Sequence, residues 1–289
     1  MNSNKISVIT CSMNRGDHLK DVVKSTNEIV NLHEHLIIDF SSDKEIQIDF
    51  EKINPKSKLI RVERENRWWL TRAYNFGAYL AEAQTLMKLD ADTVVDAAQL
   101  NELDLSKYDY LAFKIKHGLG NFIIKKNLFD EINGFNEYIY NWGFDDIDLY
   151  ERAKSQKNKY CEVLAGEKYI RIFDHVDQKR FSTLNSNYSA LSLAFHKKNR
   201  FVSSKTNWSK ENTKSYKNIG NNEYLIEHFY SIKEKKISLK LNYKKIFFVV
   251  YLNEKYRTNL FNRLNIFLIF IPYFVLKAIL KVDIYPRKK

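Results

Sequence analysis

The first hundred residues alternate short apolar runs with longer amphipathic stretches, and this alternation most restricts the fold. The runs are "KISVITCSM" (5–13), "HLIIDFSS" (35–42), "SKLIRVE" (57–63) and "TLMKLDADTVV" (85–95). The first is a short apolar, β-branched run that reads as a buried strand, the next two read as further strands, and the last reads as a strand running into a turn. Between them, "HLKDVVKSTNEIV" (18–30) places Leu19, Val22, Val23, Ile29 and Val30 near helical spacing, and "LTRAYNFGAYLAEA" (70–83) reads as a second helix. The order strand, helix, strand, strand, helix, strand is an α/β pattern with a largely parallel sheet. Ligands of such sheets bind outside the carboxyl ends of the strands. Thr10 to Arg15, Asp39 to Asp43, and Asp90 to Asp92 fall at such ends.

A chain of 289 residues holds one large domain, or one domain with an appendage. Its charge divides it. Residues 197–289 carry 21 Lys and Arg against 6 Asp and Glu, whereas residues 1–196 carry 26 against 29. The expected division is therefore an α/β domain at 1–196 and a basic, helical, membrane-associating region at 197–289. A basic tail points to an anionic partner such as acidic lipid, nucleic acid or a phosphorylated substrate. Within it, "LNIFLIFIPYFVLKAIL" (264–280) is short for a spanning helix, contains Asn265, Pro272 and Lys277, and is flanked by cations. It reads as an amphipathic helix in an anionic membrane interface, with a core helix as the alternative. Cys11 and Cys161 have neither metal-ligand spacing nor a disulfide framework, and "MNSNKISVIT" has no apolar signal region. These features fit a cytoplasmic protein held peripherally on the inner face of the cell membrane.

Two segments carry chemistry. In "KLDADTVVD", Asp90 and Asp92 alternate at a strand end, so one can face a hard divalent cation while the other faces a ribose. Alone, the pair is more often turn chemistry. The second segment is "GFNEYIYNWGFDDIDLYER" (134–152), where Asp145, Asp146 and Asp148 follow a Trp-Gly pair. A carboxylate here can take the proton of an attacking sugar hydroxyl. A Trp142 face can pack on the C–H face of a sugar, Asp145 can accept hydroxyl hydrogen bonds, and Gly143 lets backbone approach closely. The plainer reading is helix chemistry: acids in a first turn cap free N–H groups, and Asp148 and Arg152 are i,i+4 partners. Asp148 is assigned mainly to structure and Asp146 mainly to chemistry.

Over residues 5 to 185 the sequence resembles the GT-A glycosyltransferases, which use nucleotide-sugars. "VITCSMNR" and "IIDFSSD" look like the first two nucleotide-binding loops of that family. Arg72, Asn75 and Gly77 are similar to its R-N-x-G helix, although two residues separate Arg72 from Asn75 here. Asp90 and Asp92 match its D-x-D. Residues 134–152 are similar to the G-F…W-G-x-E-D-x-D module of β-1,4-galactosyltransferases and chondroitin-type polymerases. The resemblance implies a GT-A fold and an inverting transfer of a hexose or N-acetylhexosamine from a UDP-sugar to a glycan hydroxyl. It assigns Asp146 as the base and Asp92 and His175 as ligands of Mn²⁺ or Mg²⁺. It assigns Thr10, Asn14, Arg15, Asp39, Arg72, Asn75, Asp90, Trp142, Gly143 and Asp145 to substrate. The family's Met ligand position is Ile172 here, leaving water or Asp174 for that contact. Cell-surface polysaccharide synthesis follows, with a glycan acceptor on a polyprenyl diphosphate among the partners. The alternatives are a retaining transferase on the same fold, a sugar-binding domain without activity, and a nucleic-acid-binding protein using the basic tail. Segment 264–280 is too apolar for a nucleic-acid surface, so no nucleic-acid partner is expected.

Overall fold

The structure, a computed structural model, describes residues 5–115, 118–139, 143–173, 195–196, 199–200, 202–204, 206, 208 and 213–229. The tail segment 264–280, Trp142 and His175 lie outside the described residues.

The chain opens with β1 (Ile6–Ser12), α1 (Leu19–Thr26), β2 (Leu32–Phe40), β3 (Ser57–Val62), α2 (Leu70–Leu80) and β4 (Thr85–Lys88). Then come β5 (Thr93–Val95), α3 (Ala97–Asn101), β6 (Tyr110–Ile115), β7 (Gly118–Lys125), α4 (Lys126–Glu131), α5 (Asp145–Lys154), β8 (Cys161–Ala165) and β9 (Ile170–Ile172). A hairpin closes the described chain, β10 (Thr213–Gly220) and β11 (Glu223–Phe229). Nine strands form one sheet in the order β10-β11-β3-β2-β1-β4-β7-β6-β8, and β5 pairs with β9 in a second.

Strands β3, β2, β1 and β4 are mutually parallel, with Ser12 opposite Asp39 and Ile9 opposite Lys88. Successive residues of β1 enter opposite faces of the sheet. Ile9 and Cys11 pack with Leu36, Phe40, Ala73 and Phe76, whereas Ile6 and Val8 pack with Val22, Met87 and Leu89. Cover on both faces is why these strands read as unbroken apolar runs. In α1 the buried Leu19, Val22, Val23 and Thr26 sit at i, i+3, i+4 and i+7, one stripe of a helix. The helix stops at Thr26, so Ile29 is buried from a turn rather than from a longer helix.

The sheet is largely parallel, as expected, but β7 runs antiparallel to both β4 and β6. "TLMKLDADTVV" is a strand running into a turn that holds both aspartates, followed by the short β5. One expectation changes. Residues 213–229, assigned from sequence to the basic tail, form a hairpin whose β11 pairs parallel to β3 at Glu223–Arg61 and Tyr224–Val62. Tyr216 and Tyr224 pack on Phe76 with ring centroids at 5.4 and 5.1 Å, and it is this aromatic face that joins the hairpin to the sheet. The chain resolves into two compact units, the first made of residues 1–137, 146–173 and 208–229. In the second, the Asn199 amide donates to the Gly143 carbonyl at 2.7 Å and Phe144 stands edge-on to His196.

A buried imidazole ties β1, β2 and α1 together. His35 sits with Nε2 2.9 Å from the Thr10 hydroxyl and Nδ1 2.9 Å from the Thr26 hydroxyl. Burial lowers its pKa from 6.5 to about 3. The unfolded chain therefore takes up a proton below about pH 6.5 that the folded chain refuses. Stability from this group is present above pH 6.5 and drains away as pH falls toward 3. The slope reaches about 1.4 kcal/mol per pH unit, so about 2 kcal/mol is lost by pH 5. Urea unfolding at pH 7 and pH 5 should show a larger difference for the wild type than for His35→Gln. Equal differences would mean that His35 does not carry the acid sensitivity.

Candidate active site

The strand ends at β1 and β2 are stapled to each other. Asn14, with φ at +59°, receives the backbone N–H of Asp43 on its side-chain oxygen at 2.7 Å and donates its amide to the Asp43 carboxylate at 2.9 Å. Its own backbone N–H donates to Ser42 Oγ. Arg15 is exposed beyond this staple, and its carbonyl accepts from the Ser12 hydroxyl. Thr10 is fully buried, with its hydroxyl on His35. Asp39 is 1% exposed, with Oδ2 on the Arg61 guanidinium at 2.6 Å and Oδ1 accepting the Ser42 N–H. That arrangement shapes the second loop.

The helix motif makes contacts within the protein. Arg72 pairs with Glu65 at 3.1 Å and donates to the Ile226 carbonyl of β11, so it anchors the hairpin. Asn75 is 3% exposed and clamps the loop after α4: its amide donates to the Phe135 carbonyl and to Glu137 Oε1, and its oxygen accepts the Phe135 N–H. Trp208 grips the same loop through reciprocal bonds with Asn133 at 2.7 and 2.9 Å. These clamps fix the chain that leads into the Trp-Gly-Phe-Asp-Asp segment. They also explain the glycine of "NGF". Gly134 has φ +61°, and an added Cβ would lie 2.4 Å from Asn75 Oδ1 and 2.7 Å from Phe129 Cε1. Gly134→Ala should cost about 3 kcal/mol, combining left-handed strain with overpacking. A melting temperature within 2 °C (about) of wild type would show that the clamp yields.

The acidic residues meet around one backbone segment. Strand β7 runs antiparallel to β4 with Phe122 opposite Lys88, so Gly118 to Asn121 continue past the end of β4 alongside Asp90. Asn121 accepts the Asp90 N–H at 2.8 Å. Lys88, 3% exposed, places its ammonium 2.5 Å from Asp90 Oδ1, and the Tyr74 hydroxyl lies 3.4 Å from the same oxygen. An added Cβ on Gly120 would lie 3.1 Å from Asp90 Oδ2. One residue earlier, the Leu119 N–H donates to Asp146 Oδ2 at 2.7 Å, while Asp146 Oδ1 accepts the Ile147 N–H at 2.9 Å. Asp90 and Asp146, 56 positions apart in sequence, thus flank Gly118–Gly120. Sequence reasoning missed Lys88 and the two glycines. A lysine inside the apolar run "TLMKL" was the available signal.

The remaining positions divide as follows. Asp145 is the first residue of α5 and partly exposed, and Gly143 has φ +89°. Asp148 is 3% exposed and held by Arg152 at 2.9 Å, which also donates to the Ile132 carbonyl. Asp92 is partly buried beside the Thr93 hydroxyl, and its carbonyl accepts the Phe173 N–H at 2.8 Å, which brings the end of β9 to the D-x-D turn. Among the described residues no cluster of three acidic, His or Cys side chains could hold a metal. The chemistry of Asp92, a partly exposed carboxylate, suits a hard divalent cation. Such ions commonly take one or two protein carboxylates and fill the shell with phosphate oxygens and water.

The profile of glycosyl transferase family 2 matches residues 7–105, and that of the N-terminal domain of galactosyltransferase matches residues 101–176. No curated protein matches the sequence. Among solved structures, S. aureus TarS 1-349 in complex with UDP-GlcNAc is 16% identical at a TM-score of 0.50, over 63% of this chain and 62% of that one. The mannosyltransferase PcManGT from Pyrobaculum calidifontis, in complex with GDP-Man and Mn²⁺, is 13% identical at 0.48, over 69% and 64%. GalNAc-T7 with UDP, GalNAc and Mn²⁺ is 16% identical at 0.49, over 66% and 50%. The chain spans only 43% of the longer TarS structure. The two family profiles run consecutively through the D-x-D turn and α5, each over less than half of the chain, and the sheet has the GT-A fold of the glycosyltransferases to which the chain is similar.

Proposed function

We propose that the chain transfers a hexose or N-acetylhexosamine, of the galactose or GalNAc type, from a UDP-sugar to a glycan hydroxyl with inversion. The observation that carries this reading is the Asp146 carboxylate, held by the Leu119 and Ile147 amides and brought with Asp90 to the same segment, Gly118–Gly120. An inverting transfer needs a carboxylate that removes the acceptor proton from the face opposite the leaving group. A carboxylate has about four lone-pair positions, so two amide bonds leave Asp146 capacity for an acceptor hydroxyl. The strand-end turn at Asp90 and Asp92 supplies the donor side. Asp92, with His175 two positions after Phe173 in sequence, would hold Mn²⁺ or Mg²⁺ on the diphosphate. That ion supplies charge neutralisation of the leaving group. A panel of UDP-sugars, scored by UDP release with and without Mn²⁺ and by the anomeric configuration of the product, tests the reading. A product of retained configuration, or release from no UDP-sugar, overturns it.

In this reading the acceptor is a bacterial cell-surface glycan, in capsule or O-antigen synthesis, carried on a polyprenyl diphosphate at the inner face of the cell membrane. The excess of 21 basic over 6 acidic residues in 197–289 supports this placement. No described helix is long and apolar enough to cross a membrane. The full chain should sediment with anionic liposomes, and more weakly at high salt as the charges are screened. Equal sedimentation by a chain cut before Asn242 would remove the role of the tail.

A further inference from the structure

Lys88 is the least expected charge in the first unit. It sits in β4, 3% exposed, with its stem among Ile9, Leu86, Phe122 and Phe135. A lysine in such surroundings persists only where its ammonium is paired. Two of its bonds reach parts of the site that the sequence keeps far apart. One goes to Asp90 Oδ1 and the other to the Gly120 carbonyl, both at 2.5 Å, while the ammonium lies 4.5 Å from the centre of the Tyr74 ring. The Gly120 carbonyl is one residue from the Leu119 N–H that holds Asp146. The ammonium is therefore a fixed post between the donor-side carboxylate and the backbone that seats the base.

The geometry points to Lys88 as a positioning residue that couples Asp90 to Asp146 through Gly118–Gly120. It touches neither substrate directly; it sets where Asp90 presents its outer oxygen and where the Leu119 amide holds Asp146. This inference rests on Asp146 being the base. Lys88→Met is the variant of choice, because an unbranched apolar chain fits the same chamber without the charge. Loss of the post shifts the base by a fraction of an ångström to an ångström, and misplacements of that size cost up to about 100-fold in rate.

The test is a double-mutant cycle on the full chain, with kcat for transfer and the UDP-sugar Kd measured for wild type, Lys88→Met, Asp146→Asn and the pair. Lys88→Met alone should lower kcat about 10- to 100-fold. In the Asp146→Asn background the further loss should shrink below about threefold, because no base remains to misplace. The rise in donor Kd should be the same in both backgrounds, since it reports Asp90. An unchanged kcat in Lys88→Met, or a kcat loss of equal size in both backgrounds, overturns the coupling. If Lys88→Met fails to fold, Gly120→Ala takes its place. It keeps the ammonium but sets a methyl 3.1 Å from Asp90 Oδ2, and should show the same pattern; equal losses in both backgrounds again overturn it. A wild-type rate in Asp146→Asn removes the base, and the coupling falls with it. The donor Kd of Lys88→Met then shows separately whether the post orders Asp90.

Discussion

Replacing Asp146 by asparagine lowers single-turnover transfer by about 10² to 10⁴-fold, the usual effect of losing a general base. The UDP-sugar dissociation constant stays nearly unchanged. Two features of the structure separate these outcomes. Asp146 is held by the Leu119 and Ile147 amides, whereas Asp90 is held by Lys88 and Asn121, so replacing Asp146 leaves the bonds of the D-x-D turn in place. Both of its oxygens also accept amide hydrogen bonds, from Leu119 and Ile147. Asparagine keeps one acceptor oxygen, so the variant loses one of these bonds and about 1 kcal/mol of stability, too little to unfold a domain. Asp148→Asn is the contrast. Its carboxylate is buried against Arg152, and neutralising it leaves that guanidinium uncompensated. The expected loss is about 3 kcal/mol of stability, with transfer by the folded fraction within a few-fold of wild type. If Asp146→Asn transfers sugar at the wild-type rate, or if weaker donor binding accounts for its whole loss, the carboxylate serves α5 and not the reaction.

Asp146 and Asp148 of α5 show where the sequence was readable. Spacing assigned Asp148 to structure through its i,i+4 partner, and the structure places it there. Spacing suggested a surface pair, whereas burial makes it a core ion pair, because exposure depends on the packing of α5 and not on the interval between charges. The parallel half of the sheet was legible for a similar reason: strands covered on both faces are rich in apolar residues, and β1 and β2 stand out in this way. Strands β6 and β7 carry the same signal, but nothing local says that β7 inserts between β4 and β6 or reverses direction. That reversal places Gly118–Gly120 beside Asp90. At Thr10, Asp39, Arg72 and Asn75 the motif gave the residue type but not the partners. Each is a polar residue in a strand or helix of the expected type. Each also bonds within the protein, to His35, Arg61, Glu65, or the Phe135 backbone and the Glu137 carboxylate. A short motif gives a residue type at a position; the partner that uses its hydrogen-bonding capacity comes from segments up to 154 residues away.

Removal of divalent metal should abolish transfer, and the reasoning runs through charge. The leaving group of a UDP-sugar is a diphosphate that gains negative charge as the anomeric bond breaks. The donor-side turn already holds Asp90 and Asp92, so protein carboxylates alone repel that charge. Lys88 does not offset it for the substrate, because it is buried on Asp90 and the Gly120 carbonyl. A cation on Asp92 changes the sign of the field where the diphosphate sits, an effect of several kcal/mol in the transition state. With each 1.36 kcal/mol worth tenfold, the loss on removal is about 10³-fold or more. Activity should therefore vanish in EDTA and return with Mn²⁺ more readily than with Ca²⁺, since the smaller ion suits a site with few protein oxygens and possible imidazole ligation. Asp92→Asn should raise the Mn²⁺ concentration needed for half-maximal rate. Calorimetry of UDP binding supplies a readout independent of turnover: Mn²⁺ should tighten UDP on the wild type and do so far less on Asp92→Asn. Full transfer in excess chelator, or Mn²⁺ tightening of UDP that survives loss of the Asp92 charge, would take the metal away from this turn.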